Sequence, residues 1–487
     1  MKNSLFFVSL LLIFAGPLHA VSVRPRVFHA QGEMAGEVTQ TTVILQSRLT
    51  ASPGVEDGDV RGATGWGKFE YAESANFAGA AGTEWLEAKA DNDYIVRTQL
   101  RSLKPGQTYF YRLLFGADRS QTETGPVRKF KTLARPDQPV RVRFVVGNCM
   151  NHAFFFNGPK GDGNKARADA TDRQLGYPAM ESIRKLQPDF FVGAGDNVYY
   201  DHPAKTAAKT LTELRRKWHE QFVLPRIVDM VGQLATYWIK DDHDYRYNDA
   251  DATGDRAPSH ELGVRTFREQ MPVVPVTDSA DVTYRTARCG QLLQVWMVEG
   301  RDYRSPNKSP DGPEKTIWGA KQKAWLQRSV LASDAPFKIL ISPTPMIGPD
   351  DAYKKDNHTG GFRHEGEEFF AWLAANRQKH FYIITGDRHW HYHSIHTTDY
   401  EEFACGALNT ENARRGRAPG DPDSTDPHAK VIQLYTDANP TGGYLLVEAT
   451  PAEQGQPARL RFSIQDEWGK ELYSNTKTTM PANGRQQ

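Results

Sequence analysis

Phe144–Met150, FVVGNCM, carries an apolar β-prone run into a glycine, an asparagine and a cysteine. The same shape recurs three times downstream, in GAGDNVYY (Gly193–Tyr200), KDDHDY (Lys240–Tyr245) and TGDRHWH (Thr385–His391). Each motif follows a short run of β-branched or aromatic residues and places ionisable side chains where a strand stops. In α/β folds ligands bind beyond the carboxyl ends of strands, so four such turns are able to converge on one pocket. A thiol, a phenol, carboxylates and imidazoles gathered there make a metal centre.

Working outward from these motifs, strands alternate with helical stretches from Val140 onward. Apolar strands are expected at Arg141–Val146, Asp189–Val192, Ala235–Ile239, Leu292–Val298, Phe337–Ile341 and Phe381–Ile384. Thr210–Val223 spaces Leu211, Leu214, Trp218 and Phe222 as a helix does, with His219 expected on its surface. Gly319–Leu331 and Glu365–Asn376 are further amphipathic helices. This alternation predicts a layered α/β domain with helices covering the sheets. Tyr444–Ala449 and Ala458–Gln465 return to a strand pattern and complete a sheet.

Before Leu133 the pattern is all-β, with short strands separated by Gly, Pro and Asp. In LKPGQTYFY (Leu103–Tyr111) a Pro-Gly turn precedes alternating aromatics. This resembles the fibronectin type III sandwich, in which a tyrosine closes a corner; a simple hairpin with an aromatic core explains Tyr109 as well. Arg135–Pro139 reads as a linker. The division expected is a signal peptide at 1–20, a β-sandwich at 21–135, a catalytic domain at 136–475 and a tail at 476–487.

Met1–Ala20 has the marks of a secretory signal: Lys2, an apolar run over Leu5–Phe14, and a small residue at Ala20. The run is shorter than the roughly 20 residues that span a bilayer, so export to the periplasm or the exterior is expected, with no transmembrane segment. Among the 487 residues 60 are Lys or Arg and 59 are Asp or Glu, for a net charge of +1. That balance gives no electrostatic basis for binding nucleic acid or an anionic membrane. Three cysteines are too few for a disulfide framework. Cys289 and Cys405 are free to pair with each other, which leaves Cys149 as the odd thiol.

Within the motifs, Asp196 and Tyr199 stand in D-x-x-Y. A phenol with an ordinary pKa near 10 is a poor ligand for Mg²⁺ or Zn²⁺, but ferric iron favours phenolate and thiolate, and Cys149 supplies the thiolate. Asp387 and His389 lie two apart and point to the same side of an extended segment. Asp242 and His243 are adjacent and diverge, so one can bind metal while the other faces substrate. Asp241 and Asp244 read as acceptors of loop amides. Tyr200, Tyr245 and Tyr247 read as pocket walls, and Trp318 and Trp325 as packing residues.

Taken in order, the four motifs, with Asp302–Arg304 and WGAKQKAWL (Trp318–Leu326), resemble the alkaline phosphatase D family of the calcineurin-like metallophosphoesterases. The resemblance implies a catalytic domain of two mixed sheets flanked by helices. It also implies secreted enzymes that cleave phosphate mono- and diesters with iron and calcium, some members acting on phospholipids. Carried onto this chain, it implies a ferric iron site of Cys149, Asp196, Tyr199 and His389, with His391 as the competing register. Asp196 would bridge to a second cation held by Asp242 and Asp387. Asp387 stands where the wider superfamily has the first histidine of G-H-x-H. A site so rich in carboxylate suits Ca²⁺ better than Zn²⁺, with Zn²⁺ or Mn²⁺ as alternatives. His243 would protonate the leaving oxygen, and Arg388 would contact phosphate or turn to a structural carboxylate. Asn197, His358 and His391 are additional candidates. The turn expected near the N-terminus, rich in Ser and Asp, is here QGEMAGEVTQ (Gln31–Gln40), a departure that points to a divergent branch with its own substrate. The alternatives are a phospholipase-like diesterase, or a secreted binding protein that keeps the fold without catalysis. The substrate expected is a small phosphate ester; the oligomeric state is left open.

Overall fold

Two large mixed sheets lie face to face with helices on their outer sides. The computed structural model describes residues 26–158, 166–273 and 282–479; the signal reading and residues 480–487 lie outside them. The first sheet has nine strands, ordered Glu471–Thr478, Arg459–Asp466, Gly443–Thr450, Val142–Gly147, Phe190–Ala194, Ala235–Ile239, Glu33–Gly36, Val43–Arg48 and Ile95–Leu100. The second has seven, ordered Arg285–Cys289, Leu293–Met297, Phe337–Ser342, Phe381–Thr385, Glu401–Cys405, His391–Ile395 and Ile432–Thr436. The last strand of the chain runs to Thr478, past the boundary expected at 475.

Side-chain alternation sets the layers, because successive residues of a strand face opposite sides. Phe144 and Val146 pack between the sheets with Ile339, Ile341, Ile384 and Phe403. Val145, between them in sequence, faces outward to Met180, Ile183, Trp218 and Trp238. On the far side Leu340 and Ile383 pack under the helices Gly319–Leu331 and Arg363–Ala375 through Leu326, Phe369 and Phe370. Both faces of the central strands are thus covered, which is why they read as continuous apolar runs.

The N-terminal region departs from a free-standing sandwich. Its strand Glu33–Gly36 pairs in parallel with Ala235–Ile239, in the register Ala35 to Ala235. One of its sheets therefore extends the catalytic sheet. The other, built on Gly65–Ala72 and Thr108–Gly116, packs Phe69, Tyr111 and Leu113 against Leu45 and Val96 in the same core. Tyr109 does close a corner: its hydroxyl accepts a hydrogen bond from the Lys104 amide at 2.9 Å.

His219 is not a surface residue. It is wedged between the two parts of the chain, with Nδ1 2.7 Å from Asp59 and Nε2 2.7 Å from Asp93. Arg48 and Gln270 also bind Asp93, at 3.0 and 2.8 Å. Burial pushes the Asp93 carboxyl up, but His219 and Arg48 outweigh it and hold the group well below the usual carboxylate range. A carboxylate depressed in the folded state adds stability above its unfolded pKa of about 3.9 and loses it as the pH falls toward the folded value. Breaking one partner of a buried pair costs about 3 kcal/mol, so Asp93→Asn should lower the urea midpoint accordingly at pH 7. The gap from wild type should narrow below about pH 4; a gap constant from pH 7 to pH 3 would count against this role.

All three cysteines are buried and free, so the pairing of Cys289 with Cys405 is not made. Cys405 instead lies 3.3 Å from the Thr385 carbonyl. Among the described residues no helix is long and apolar enough to cross a membrane.

Candidate metal centre

The four motifs meet at one end of the inter-sheet layer. Val142–Gly147, Phe190–Ala194 and Ala235–Ile239 are parallel neighbours, so their three following turns lie side by side. Phe381–Thr385, in the opposite sheet, brings the fourth turn across: Gly386 lies so close to the Ala194 carbonyl that a Cβ there would collide with it. The turns are sharp. Cys149, Asp196 and Asp387 all hold positive φ, at 53°, 54° and 60°. Left-handed backbone is costly for residues with a Cβ and collects at functional sites where the surroundings enforce it. Three of the six expected ligands sit on such residues.

Cys149 Sγ is 3.4 Å from Asp196 Oδ2, and the Tyr199 hydroxyl is 3.1 Å from the same oxygen and 3.5 Å from His389 Nε2. Donor atoms of Cys149, Asp196 and His389 all lie within 4.8 Å of one another. A second trio on the same criterion is Asp241, Asp242 and Asp387, and a third, Asp196, Asp242 and His243, joins the two sides. Of the two histidines of the competing registers, His389 lies in the cluster. His391 turns away and gives Nδ1 to Asp437 at 2.8 Å.

Electrostatics favour a cation here. Burial, then repulsion from Asp196 and Asp387, raises the Cys149 thiol. Burial also raises Tyr199, with Asp196 and Cys149 adding to it. Asp196 is raised by burial and by Asp242, Asp244 and Asp387, which His243 opposes only in part. Three acidic groups raised together by burial and by their mutual repulsion are a setting in which a bound cation is stabilising. Burial and Arg414 keep the His389 ring neutral, the form in which imidazole ligates. The sulfur and phenol donors lie on one side of the centre and most of the carboxylates on the other.

The other site residues named from the sequence are buried. Arg388 is fully buried and pairs with Asp350 and Asp387, the carboxylate contact named as the second of its two expected roles. Asn197 gives its amide to the Ile239 carbonyl at 2.8 Å and to Asp244 at 2.7 Å, while its buried Oδ1 makes no hydrogen bond to a described residue. His358 packs on Trp318 and lies 3.2 Å from Glu365. Asp244 accepts from the Asn197 and Asp241 amides, and Asp241 binds Arg301 at 2.6 Å. Its proximity to Asp242 and Asp387 was not expected.

Several residues escaped the sequence reading. Arg301, wholly buried, reaches Asp241 and Asp356, the latter at 3.2 Å. It follows the strand Leu293–Met297 just as the other motifs follow theirs, so the strand-end signature would have found it. Lys354, paired with Asp249, sits in a long loop with no periodic signal. Asp201 holds His243 Nδ1 at 2.6 Å. The His243 ring stacks on Tyr199, 4.2 Å between centroids. Burial disfavours its charged form, but Asp201, Asp242 and Asp196 outweigh this and hold its pKa well above the ordinary value.

The PhoD-like phosphatase model matches residues 168–453, and the model of the PhoD-like phosphatase N-terminal domain matches residues 20–134. Alkaline phosphatase D of Bacillus subtilis (strain 168) is 23% identical over 473 residues, covering 86% of this chain and 75% of the relative. A solved structure of PhoD superposes with a TM-score of 0.70 at 18% identity, over 92% of this chain and 89% of that one. The purple acid phosphatase PPD1 of yellow lupin (Lupinus luteus) seeds gives 0.60 at 13%, over 92% and 74%. With the catalytic-region match spanning more than half of its length, this chain belongs to the PhoD-like phosphatase family and is a metal-dependent phosphoric ester hydrolase.

Proposed function

We propose that the protein is an exported phosphoric ester hydrolase of the alkaline phosphatase and phosphodiesterase type, working at two adjacent cation positions. The observation that carries this reading is the convergence of Cys149, Asp196, Tyr199 and His389 within a few ångströms. These four would hold ferric iron, the ion that accepts thiolate and phenolate together. Asp242 and Asp387, with Asp196 shared between the positions, would hold calcium; zinc or manganese is the alternative second metal. Two such cations supply neutralisation of the phosphoryl oxygens and polarisation of the attacking water.

The protein's own residues do the rest. Asp201 occupies His243 Nδ1, which leaves Nε2 as the ring nitrogen able to meet substrate. With its pKa held high, that nitrogen donates a proton to the departing oxygen, and the negative charge of Asp201 stabilises the charged ring before transfer. Arg301, Arg388 and Lys354 offset the clustered carboxylates around the second position. Export is supported by the character of Met1–Ala20 and by the start of the N-terminal family match at residue 20.

Elemental analysis of the purified protein beside a panel of aryl mono- and diesters tests the reading. Iron near one equivalent is expected, with hydrolysis of the esters lost on removal of metal by chelation and restored by iron and calcium together. Turnover that is indifferent to metal removal would refute it.

A further inference from the structure

The cations around the centre divide into two kinds. Arg301, Arg388 and Lys354 are buried and committed to carboxylates, and none can turn to a substrate oxygen without stranding a buried charge. A second set lies in Arg414, Arg415 and Arg417, on the segment that crosses the metal centre. That segment is pinned on both sides of the iron-type cluster. The Asn412 amide donates to the Cys149 carbonyl at 2.9 Å and to the Tyr199 oxygen at 3.1 Å, and the Arg414 amide donates to the His389 carbonyl at 2.9 Å. His389 is the least buried member of its trio, so Arg414 stands on the trio's more open side.

The three guanidiniums are not equivalent. Arg417 is taken up by Asp351 and Asp421, at 2.6 and 3.1 Å. Arg414 lies over the Trp390 ring, 4.9 Å from its centroid, and spends one nitrogen on Asp351 at 3.2 Å. Its side chain is 25% exposed. Arg415 is exposed and has no ion pair with a described residue. Gly416 fits against the Trp390 indole so tightly that a Cβ would collide with it, which fixes the segment and the place of Arg414.

We infer that Arg414 and Arg415 recognise a second oxyanion on the substrate, so that the enzyme prefers phosphate diesters whose retained arm carries a carboxylate or phosphate. This rests on the hydrolase reading above. A planar guanidinium lying over an indole, with N–H groups to spare, is suited to an oxyanion, and a charge at the rim of a site is felt through salt-sensitive association.

The test compares p-nitrophenyl propyl phosphate with p-nitrophenyl 2-carboxyethyl phosphate and p-nitrophenyl 2-phosphonoethyl phosphate, which share the scissile bond and leaving group. Wild type should show kcat/KM about tenfold higher for the two charged arms at low salt, shrinking toward equality near 1 M salt, where the screening length is about 3 Å. The carboxylate and phosphonate arms separate the two sources of the anion. Arg415→Ala should remove part of the preference, and Arg414→Ala/Arg415→Ala should bring the ratio to about one. Equal kcat/KM on all three esters in wild type, or a preference that survives the double substitution, overturns the inference while leaving the hydrolase reading intact. Failure of wild type to hydrolyse any of the three overturns the diesterase part of that reading, and this inference with it.

Discussion

Asp196→Asn should lower kcat/KM on an aryl phosphate ester by at least about a thousandfold. One oxygen of Asp196 lies 3.4 Å from the Cys149 sulfur and 3.1 Å from the Tyr199 oxygen; the other accepts the His243 amide at 3.3 Å. The carboxylate is thus the group that ties the thiolate side to the Asp242 side. An amide of the same shape keeps the hydrogen-bonding scaffold but removes the charge between the two cation positions, so metal content should fall along with activity. The fold should survive, because the backbone at 196 is held by the Met150 amide at 2.9 Å and burial of an uncharged side chain costs less than burial of a carboxylate. Retention of full turnover by this variant would sink the two-position account.

His243→Asn should lower kcat by about a hundredfold or more, the range lost with a general acid. The loss should depend on the leaving group. A nitrophenolate departs without help, whereas an alkoxide needs the proton, so alkyl esters should suffer more than nitrophenyl esters. Asp201→Asn should reproduce that dependence at smaller size, because Asp201 acts through the ring it orients. Iron content should be unchanged in both variants. Equal losses across leaving groups would assign His243 to binding instead of proton transfer.

Much of this centre is legible from local sequence because each ligand sits where an apolar strand ends. Val142–Gly147, Phe190–Ala194, Ala235–Ile239 and Phe381–Thr385 fall within a residue or two of their expected limits, since fully buried strands leave unbroken apolar runs. The helix Leu211–Phe222 was equally plain, its start marked by Thr210 and Glu213 in a reciprocal cap. Strand order was not legible. The pairing of Ala35 with Ala235 joins residues far apart in sequence, and neither strand carries a mark of its partner. The sandwich-like aromatic pattern therefore described the N-terminal region without revealing that half of it extends the catalytic sheet.

The same distinction explains the side chains. Cys149, Asp196 and His389 come from turns with a recognisable shape, but the fate of a long flexible residue depends on neighbours that arrive from elsewhere. Arg388 adjoins two expected ligands, yet its direction is set by Asp350, which no motif announces. His219 shares a helical face with polar residues and looks solvated in isolation; Asp59 and Asp93, contributed by loops of the other region, bury it.

The most direct test of the shared thiolate, phenolate and carboxylate site is X-ray absorption at the iron edge, on wild type and on Cys149→Ser. The account predicts one sulfur in the first coordination shell of the native iron and none in the variant. A native shell made only of nitrogen and oxygen, with Cys149 present and reduced, would contradict it.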